Sequence, residues 1–142
     1  MQTAPDLTTV AHVIQLAVAP VFLLTGIGAI LNVITTRLAR IVDRSRVLNS
    51  SNDRDDPARK EELAMLGRRE RWVHWAVNFC TLSALLICIV IVALFVGSEI
   101  NIDPSRTIAL LFILAMLTLI SGLLCFLREV FLATGSWMIG KR

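Results

Sequence analysis

The chain has 142 residues, a net charge of +3 and an apolar fraction of 56 %, and its mean hydropathy is strongly positive. An ordinary soluble domain is about half apolar or less, so this composition excludes that class and predicts an integral membrane protein. Three long apolar runs account for the excess, and they leave no room for a separate soluble domain.

The first predicted element is one continuous helix from Val10 to Leu48. It begins as a membrane span over about residues 10–36 and continues, without a turn signal, into the charged sequence RLARIVDRSRVL. At 1.5 Å per residue it is about 58 Å long, and only about 30 Å can lie in hydrocarbon, so the rest must extend into water. Pro20 predicts a kink or a lost backbone hydrogen bond inside the span. One face of the extension is predicted to pack, and it carries Leu38, Ile41, Val42, Ser45 and Leu48.

The sequence NSSNDRDDP, residues 49–57, has the composition of a loop, and Pro57 suits the first turn of a second helix. That helix starts in water, because its apolar face repeats at three and four residues before the span begins. The residues of this face are Leu63, Leu66, Glu70, Val73 and Val77. Its span covers about residues 72–96, with Trp72 and Trp75 at the membrane interface. The extensions of the two helices therefore predict a helical hairpin over residues 37–71.

A short turn leads to the third span, about residues 107–127, after which Arg128 and Glu129 mark the exit from the membrane. The tail, with Trp137, is typical of an interfacial segment. The predicted fold is an all-α integral membrane protein with three transmembrane helices, forming a single domain over residues 1–142. Small residues on span two (Ala76, Cys80, Ala84, Cys88) and on span three (Thr118, Ser121, Gly122, Cys125) predict surfaces where these two helices pack closely.

The distribution of charge predicts the orientation. Of the 14 Lys and Arg residues, 10 lie between Arg37 and Arg71, and none precedes Arg37. The positive-inside rule then places residues 37–71 and the C-terminus in the cytoplasm and the N-terminus outside, as expected for a multi-pass protein of a bacterial inner (plasma) membrane. The same segment carries seven acidic residues, which argues against nucleic acid as a partner.

No pattern in the sequence predicts an enzyme or a bound cofactor. The three cysteines, Cys80, Cys88 and Cys125, lie in apolar runs without the spacing of metal ligands or of a disulfide framework. No nucleophile stands at a suggestive distance from a base, and the spans carry no paired carboxylates for a proton relay.

The candidate functional surface is a stripe along the first helix, reached from Thr8 in steps of four and three residues to Asp43. We call it the polar stripe, and it consists of Thr8, His12, Gln15, Ala19, Phe22, Gly26, Ala29, Val33, Thr36, Arg40 and Asp43. Polar side chains in a span avoid lipid, so this face must meet protein or water. It can pack against another helix, or it can line a pore in a homo-oligomer with Phe22 as an apolar constriction. The pore-lining candidates are Thr8, His12, Gln15, Phe22, Thr25, Gly26, Asn32 and Thr36.

At the cytoplasmic end of this helix, the candidate residues are Arg37, Arg40, Asp43 and Arg44. They can be a positive-inside anchor with local ion pairs, or they can form a ring at the mouth of an assembly that attracts anions or lipid headgroups. A ring of His12 side chains from several subunits is a further alternative, since it could bind a metal ion or sense pH.

The residues Arg37 to Leu48, with the Arg40–Arg46 motif, and the later Arg68-Arg69-Glu70-Arg71 resemble a bacterial family of small membrane proteins known as domain of unknown function 2721. The resemblance implies a three-span membrane protein, and it brings no established activity and no site residues.

From the residues we expect a homo-oligomeric, channel-like pore, permeable to ions and lined by the first helix. The alternative is a non-conducting membrane adaptor or scaffold whose cytoplasmic hairpin binds a partner. The expected partners are other copies of the chain, membrane lipids and ions.

Overall fold

A computed structural model describes residues 4–50, 57–100 and 105–139, and all of them are α-helical. Helix α1 spans Ala4–Ser50, α2 spans Pro57–Ile100 and α3 spans Ser105–Ile139. Side chains are described over most of these ranges, except near the helix ends and at residue 62. The prediction of an all-α fold with one continuous first helix is confirmed. The predicted loop after that helix lies almost entirely outside the described residues.

Each helix contains a stretch that is long and apolar enough to cross a membrane. At 1.5 Å per residue the helices are about 70, 66 and 52 Å long, so each exceeds the ~30 Å of a hydrocarbon core. Helix α1 runs unbroken through Pro20, and α2 begins at Pro57, as predicted. Helix α3 includes the predicted span over residues 107–127 and continues through most of the tail to Ile139, and Glu129, beyond that span, is fully buried.

Helix α2 lies between the other two and packs against both α1 and α3. The side of α1 that faces α2 is buried at every seventh residue, namely Val13, Pro20, Ile27, Ile34 and Ile41. Helix α2 has the same spacing in Leu66, Val73, Cys80 and Ile87. A repeat of seven residues is the spacing at which helices wrap around each other with a left-handed supercoil.

The packing of α1 on α2 continues into their charged extensions. Ile41 and Leu66 belong to the same buried core as Ile27 and Ile87, and Leu48 packs against it. The predicted apolar faces of both extensions are therefore the faces that pack. Because these side chains are buried between the helices, α1 and α2 pack against each other well beyond their apolar stretches.

Helices α2 and α3 pack closely at small residues. A methyl group added at Gly122 would lie 2.9 Å from Sγ of Cys80 and 3.3 Å from the carbonyl oxygen of Ala76. Nearby, the hydroxyl of Ser83 donates a hydrogen bond of 2.8 Å to the carbonyl oxygen of Ala115. The predicted packing surface of small residues is confirmed at Ala76, Cys80 and Gly122, whereas Cys88 is exposed.

Candidate functional site

The polar stripe of α1 lies outside the buried contact with α2, and at its edge Phe22 lines an apolar groove with Ile91 and Phe95 of α2. Every stripe residue whose side chain is described, from His12 to Asp43, is exposed, and so are Thr25 and Asn32 beside it. The side chain of Thr8 lies outside the described residues. The stripe is thus not the surface through which α1 packs within its own chain, and it is available to water or to another copy of the protein.

The polar side chains of this surface differ in whether they have a hydrogen-bond partner within the helix. The hydroxyls of Thr25 and Thr36 donate hydrogen bonds of 3.2 and 2.8 Å to the carbonyl oxygens of Val21 and Asn32, one turn earlier. Such internal bonds let a threonine face lipid at little cost. In the described part of the chain, the side-chain amides of Gln15 and Asn32 have no such partner. Because an unpaired amide in an apolar medium costs several kcal/mol, about 4–8 by transfer to alkane, these two side chains require water or protein.

His12 is exposed near one end of the stripe on α1, and His74 is exposed on α2. Among the side chains that the structure describes, no three His, Cys, Asp or Glu residues lie close enough to hold a metal ion. A metal site at His12 would need the same residue from several subunits.

A buried ion cluster joins the three helices, and its centre is Glu129 on α3, which is fully buried. Arg69 on α2 donates two hydrogen bonds to Oε1 of Glu129, from Nη2 at 2.8 Å and from Nε at 3.3 Å. Arg37 on α1 places Nη1 3.6 Å from the other carboxylate oxygen, Oε2. We call these three residues the arginine–glutamate cluster, and it is the one described point where charged side chains of α1, α2 and α3 meet.

The two arginines of this cluster make unequal contacts with Glu129. Arg69 is mostly buried, with 28 % of its side chain exposed, and it makes the charge-assisted hydrogen bonds. Arg37 is 46 % exposed, and Oε2 of Glu129 accepts no hydrogen bond from the described residues. The guanidinium of Arg37 also lies 5.5 Å from the ring centre of Phe126, a cation–π contact with α3. Arg37 is therefore held toward α3, while Arg40, Asp43 and Arg44 are exposed on the surface.

Sequence reasoning placed Arg37 among the candidates at the cytoplasmic mouth. It treated Glu129 only as a marker of the membrane exit, and it named Arg69 only within the Arg68–Arg71 motif and not as a site residue. The sequence contained a signal for a buried ion pair, because Glu129 is the one acidic residue of α3 and lies in an apolar run. A carboxylate in such surroundings is expected to be paired with cations. The identity of those cations depends on which helix faces meet, and no spacing within one helix encodes it.

The comparisons with known proteins bear on this arrangement. A family model described as protein of unknown function (DUF2721) matches residues 17–139. That range includes the arginine–glutamate cluster and most of the polar stripe. Searches of curated proteins and of solved structures found no match. The resemblance predicted from the arginine-rich motifs is confirmed, and the chain belongs to the DUF2721 family.

Proposed function

We propose that this protein is a homo-oligomeric membrane pore that conducts ions and is lined by α1. The observation that carries this proposal is the outward position of Gln15 and Asn32 on an apolar helix. Their amides lack partners in the described chain, so a lipid environment is unfavourable for both. An axis shared by several copies of α1 supplies the water or the neighbouring helices that these side chains require.

The proposal includes a topology. The three helices insert into a bacterial inner membrane, with the N-terminus outside and the C-terminus in the cytoplasm. Residues 37–71 form a cytoplasmic hairpin, which is supported by the 10 Lys and Arg residues in that segment and by the continued packing of Ile41 and Leu66. In this orientation the arginine–glutamate cluster lies at the cytoplasmic membrane interface, where the charged side chains of Arg37 and Arg69 reach water.

Phe22 is the proposed constriction of the pore. Its side chain is 73 % exposed on the polar stripe, about 10 Å along the helix from Gln15 and about 15 Å from Asn32. A ring of phenylalanines between two polar rings is an apolar barrier that can close by expelling water. At the cytoplasmic end, a ring of Arg40 and Arg44 would favour anions over cations near the mouth.

Ion flux through liposomes tests the pore. Purified protein is reconstituted, its oligomeric mass is measured by native mass spectrometry, and chloride and potassium flux are recorded for the wild type and for Phe22→Ala. Removal of the apolar ring is expected to raise the flux about tenfold if the ring adds about 1.4 kcal/mol to the barrier. Phe131→Ala is the matched control, because Phe131 is 68 % exposed on α3, away from the polar stripe.

The pore is refuted if the protein is monomeric, or if neither the wild type nor Phe22→Ala conducts at any voltage. An equal gain of flux in Phe131→Ala would also count against it, because the gain would then be unrelated to the constriction.

A non-conducting adaptor is the second candidate, and a specific observation favours it. Val47 and Met65, on the packed extensions of α1 and α2, are 61 % and 58 % exposed. Large apolar side chains on a rigid, water-facing projection are typical of a protein-binding surface. A photo-crosslinker at Val47 is then expected to capture one cytoplasmic protein reproducibly, and a crosslinker at Arg106 is not. Equal capture at both positions would contradict the adaptor.

A further inference from the structure

A groove on the surface between α2 and α3 combines arginines with aromatic side chains. It has a volume of about 580 Å³ and is lined by Arg68, Arg71, Trp72, Trp75, Phe79 and Cys125. Arg128, one turn from Cys125 on α3, places its guanidinium 5.8 Å from the ring centre of Trp72. Three guanidinium groups therefore border this groove, which lies on a different side of α2 from the contact with α1.

The charge of the groove is not balanced within the described chain. No carboxylate lines it, and Arg68, Arg71 and Arg128 form no ion pair with described residues. The nearest acid along α3, Glu129, is fully buried and already paired with Arg37 and Arg69. Glu70 borders a neighbouring groove together with Arg71. A bound anion would thus meet uncompensated positive charge here.

The polarity of the groove changes along its length. Arg68 and Phe79 are about 16 Å apart along α2, and the two tryptophans lie between them. Trp75 stacks on Phe79 with ring centres 5.6 Å apart, which makes an apolar wall at the end away from Arg68. Arginines at one end, indole rings in the middle and an apolar wall at the other follow the profile of a lipid leaflet from headgroup to acyl chain.

We propose that this groove binds an anionic glycerophospholipid, with the headgroup phosphate at Arg68, Arg71 and Arg128 and an acyl chain along Phe79. Basic pockets between membrane helices on the cytoplasmic side recognise such headgroups. A free phosphate would use only the arginine end and would leave the aromatic wall without a function. The proposal rests on the membrane insertion proposed above, and it is independent of whether the protein conducts.

Quenching of tryptophan fluorescence by brominated lipids tests the site. Trp137→Phe serves as the background, so that only Trp72 and Trp75 report. Vesicles contain phosphatidylcholine and phosphatidylglycerol at one fixed ratio, and the bromine is carried by one lipid or by the other. The charge of the vesicles is then constant, and the difference in quenching measures which lipid occupies the groove.

Phosphatidylglycerol is expected to be preferred over phosphatidylcholine by at least about fivefold, since each arginine near a headgroup contributes about that factor. The preference is expected to fall severalfold in Arg68→Gln/Arg71→Gln, in which Arg128 is the one arginine left at the groove. The matched control is Arg46→Gln/Arg106→Gln, which removes two exposed arginines outside the groove and keeps the preference. Circular dichroism and gel filtration verify that both variants fold.

Three results would overturn the lipid site: equal quenching by both brominated lipids, an equal loss of preference in the control variant, or a preference that added inorganic phosphate abolishes. The last result would assign the arginines to a free anion. Quenching by brominated phosphatidylcholine reports membrane insertion by itself, so its absence would refute the insertion as well as the lipid site.

Discussion

Glu129 carries a charge into the interior of the helical bundle, where an ionised carboxylate is unfavourable by several kcal/mol unless it is paired. The pairing comes from Arg69 through two hydrogen bonds and from Arg37 through a longer ionic contact. With two guanidinium groups for one carboxylate, the cluster has an excess positive charge, and the partial exposure of Arg37 lets water solvate it. The cluster therefore joins one face of each of the three helices.

Because Arg69 and Arg37 contact Glu129 unequally, their substitutions are expected to lower the free energy of unfolding by different amounts. Arg69→Ala leaves Glu129 buried without its hydrogen bonds, and we expect it to lower the free energy of unfolding by about 3–5 kcal/mol. Arg37→Ala removes a half-exposed ionic contact at 3.6 Å and is expected to cost about 1 kcal/mol or less. The measurement is unfolding in mixed detergent micelles, followed by circular dichroism.

Arg106→Ala is the control for that comparison, because it removes an exposed arginine near the start of α3 and is expected to leave the unfolding free energy within about 0.5 kcal/mol of wild type. If Arg37→Ala destabilised the protein as much as Arg69→Ala, the unequal roles assigned to the two arginines would be wrong.

At the scale of the helices, α1 shows two surfaces with the same repeat of seven residues. The buried row runs from Val13 to Ile41 against α2, and the polar stripe includes an exposed row of the same spacing from His12 to Arg40. A repeat of seven residues suits left-handed packing between helices. The exposed row is thus compatible in geometry with α1 of another copy, as a homo-oligomer requires.

The contact between α2 and α3 depends on the absence of a side chain at Gly122. Gly122→Ala would bring a methyl group within 2.9 Å of Sγ of Cys80 and 3.3 Å from the carbonyl oxygen of Ala76, so the packing between α2 and α3 must shift. We expect a loss of about 1–3 kcal/mol in the free energy of unfolding, the usual cost of overpacking. The measurement is again unfolding in detergent micelles.

Gly67→Ala is the matched control for this substitution, because no heavy atom beyond its own turn lies within 4 Å of the added methyl group. Alanine favours a helix over glycine by about 1 kcal/mol, so this variant is expected to be as stable as the wild type or more stable. Opposite signs for the two variants would support close packing at Gly122, and a neutral Gly122→Ala would contradict it.

For the whole molecule, the proposed orientation rests on the 10 Lys and Arg residues between Arg37 and Arg71. In a variant without the three native cysteines, a single cysteine is placed at Arg106 or at Arg46. A membrane-impermeant maleimide added to intact cells is expected to label position 106 and to label position 46 only after the cells are opened. The reverse pattern would invert the proposed topology, and labelling at both positions would refute a defined orientation.

The accuracy of sequence reasoning differed between elements. It predicted the continuous first helix and the start of α2 at Pro57, because periodicity and proline act locally. It predicted a third membrane span over residues 107–127, but not that its helix continues to Ile139, because apolar composition measures membrane crossing and not the length of a helix. It placed the polar stripe on one face of the first helix and left open what that face meets, and its exposure within the described chain became known only from the packing of α1 on α2.

The sequence by itself determined that the protein is helical, that three stretches are apolar enough to span a membrane, and that positive charge is concentrated on one side of them. These properties follow from the order and spacing of residues within each segment. Only the tertiary structure decided the arginine–glutamate cluster, whose Arg69 and Glu129 are 60 residues apart, and the close contact of Gly122 with Cys80. Such pairings depend on which faces of long helices meet, and many registers of similar apolar helices are compatible with one sequence pattern until buried charges and small residues select among them.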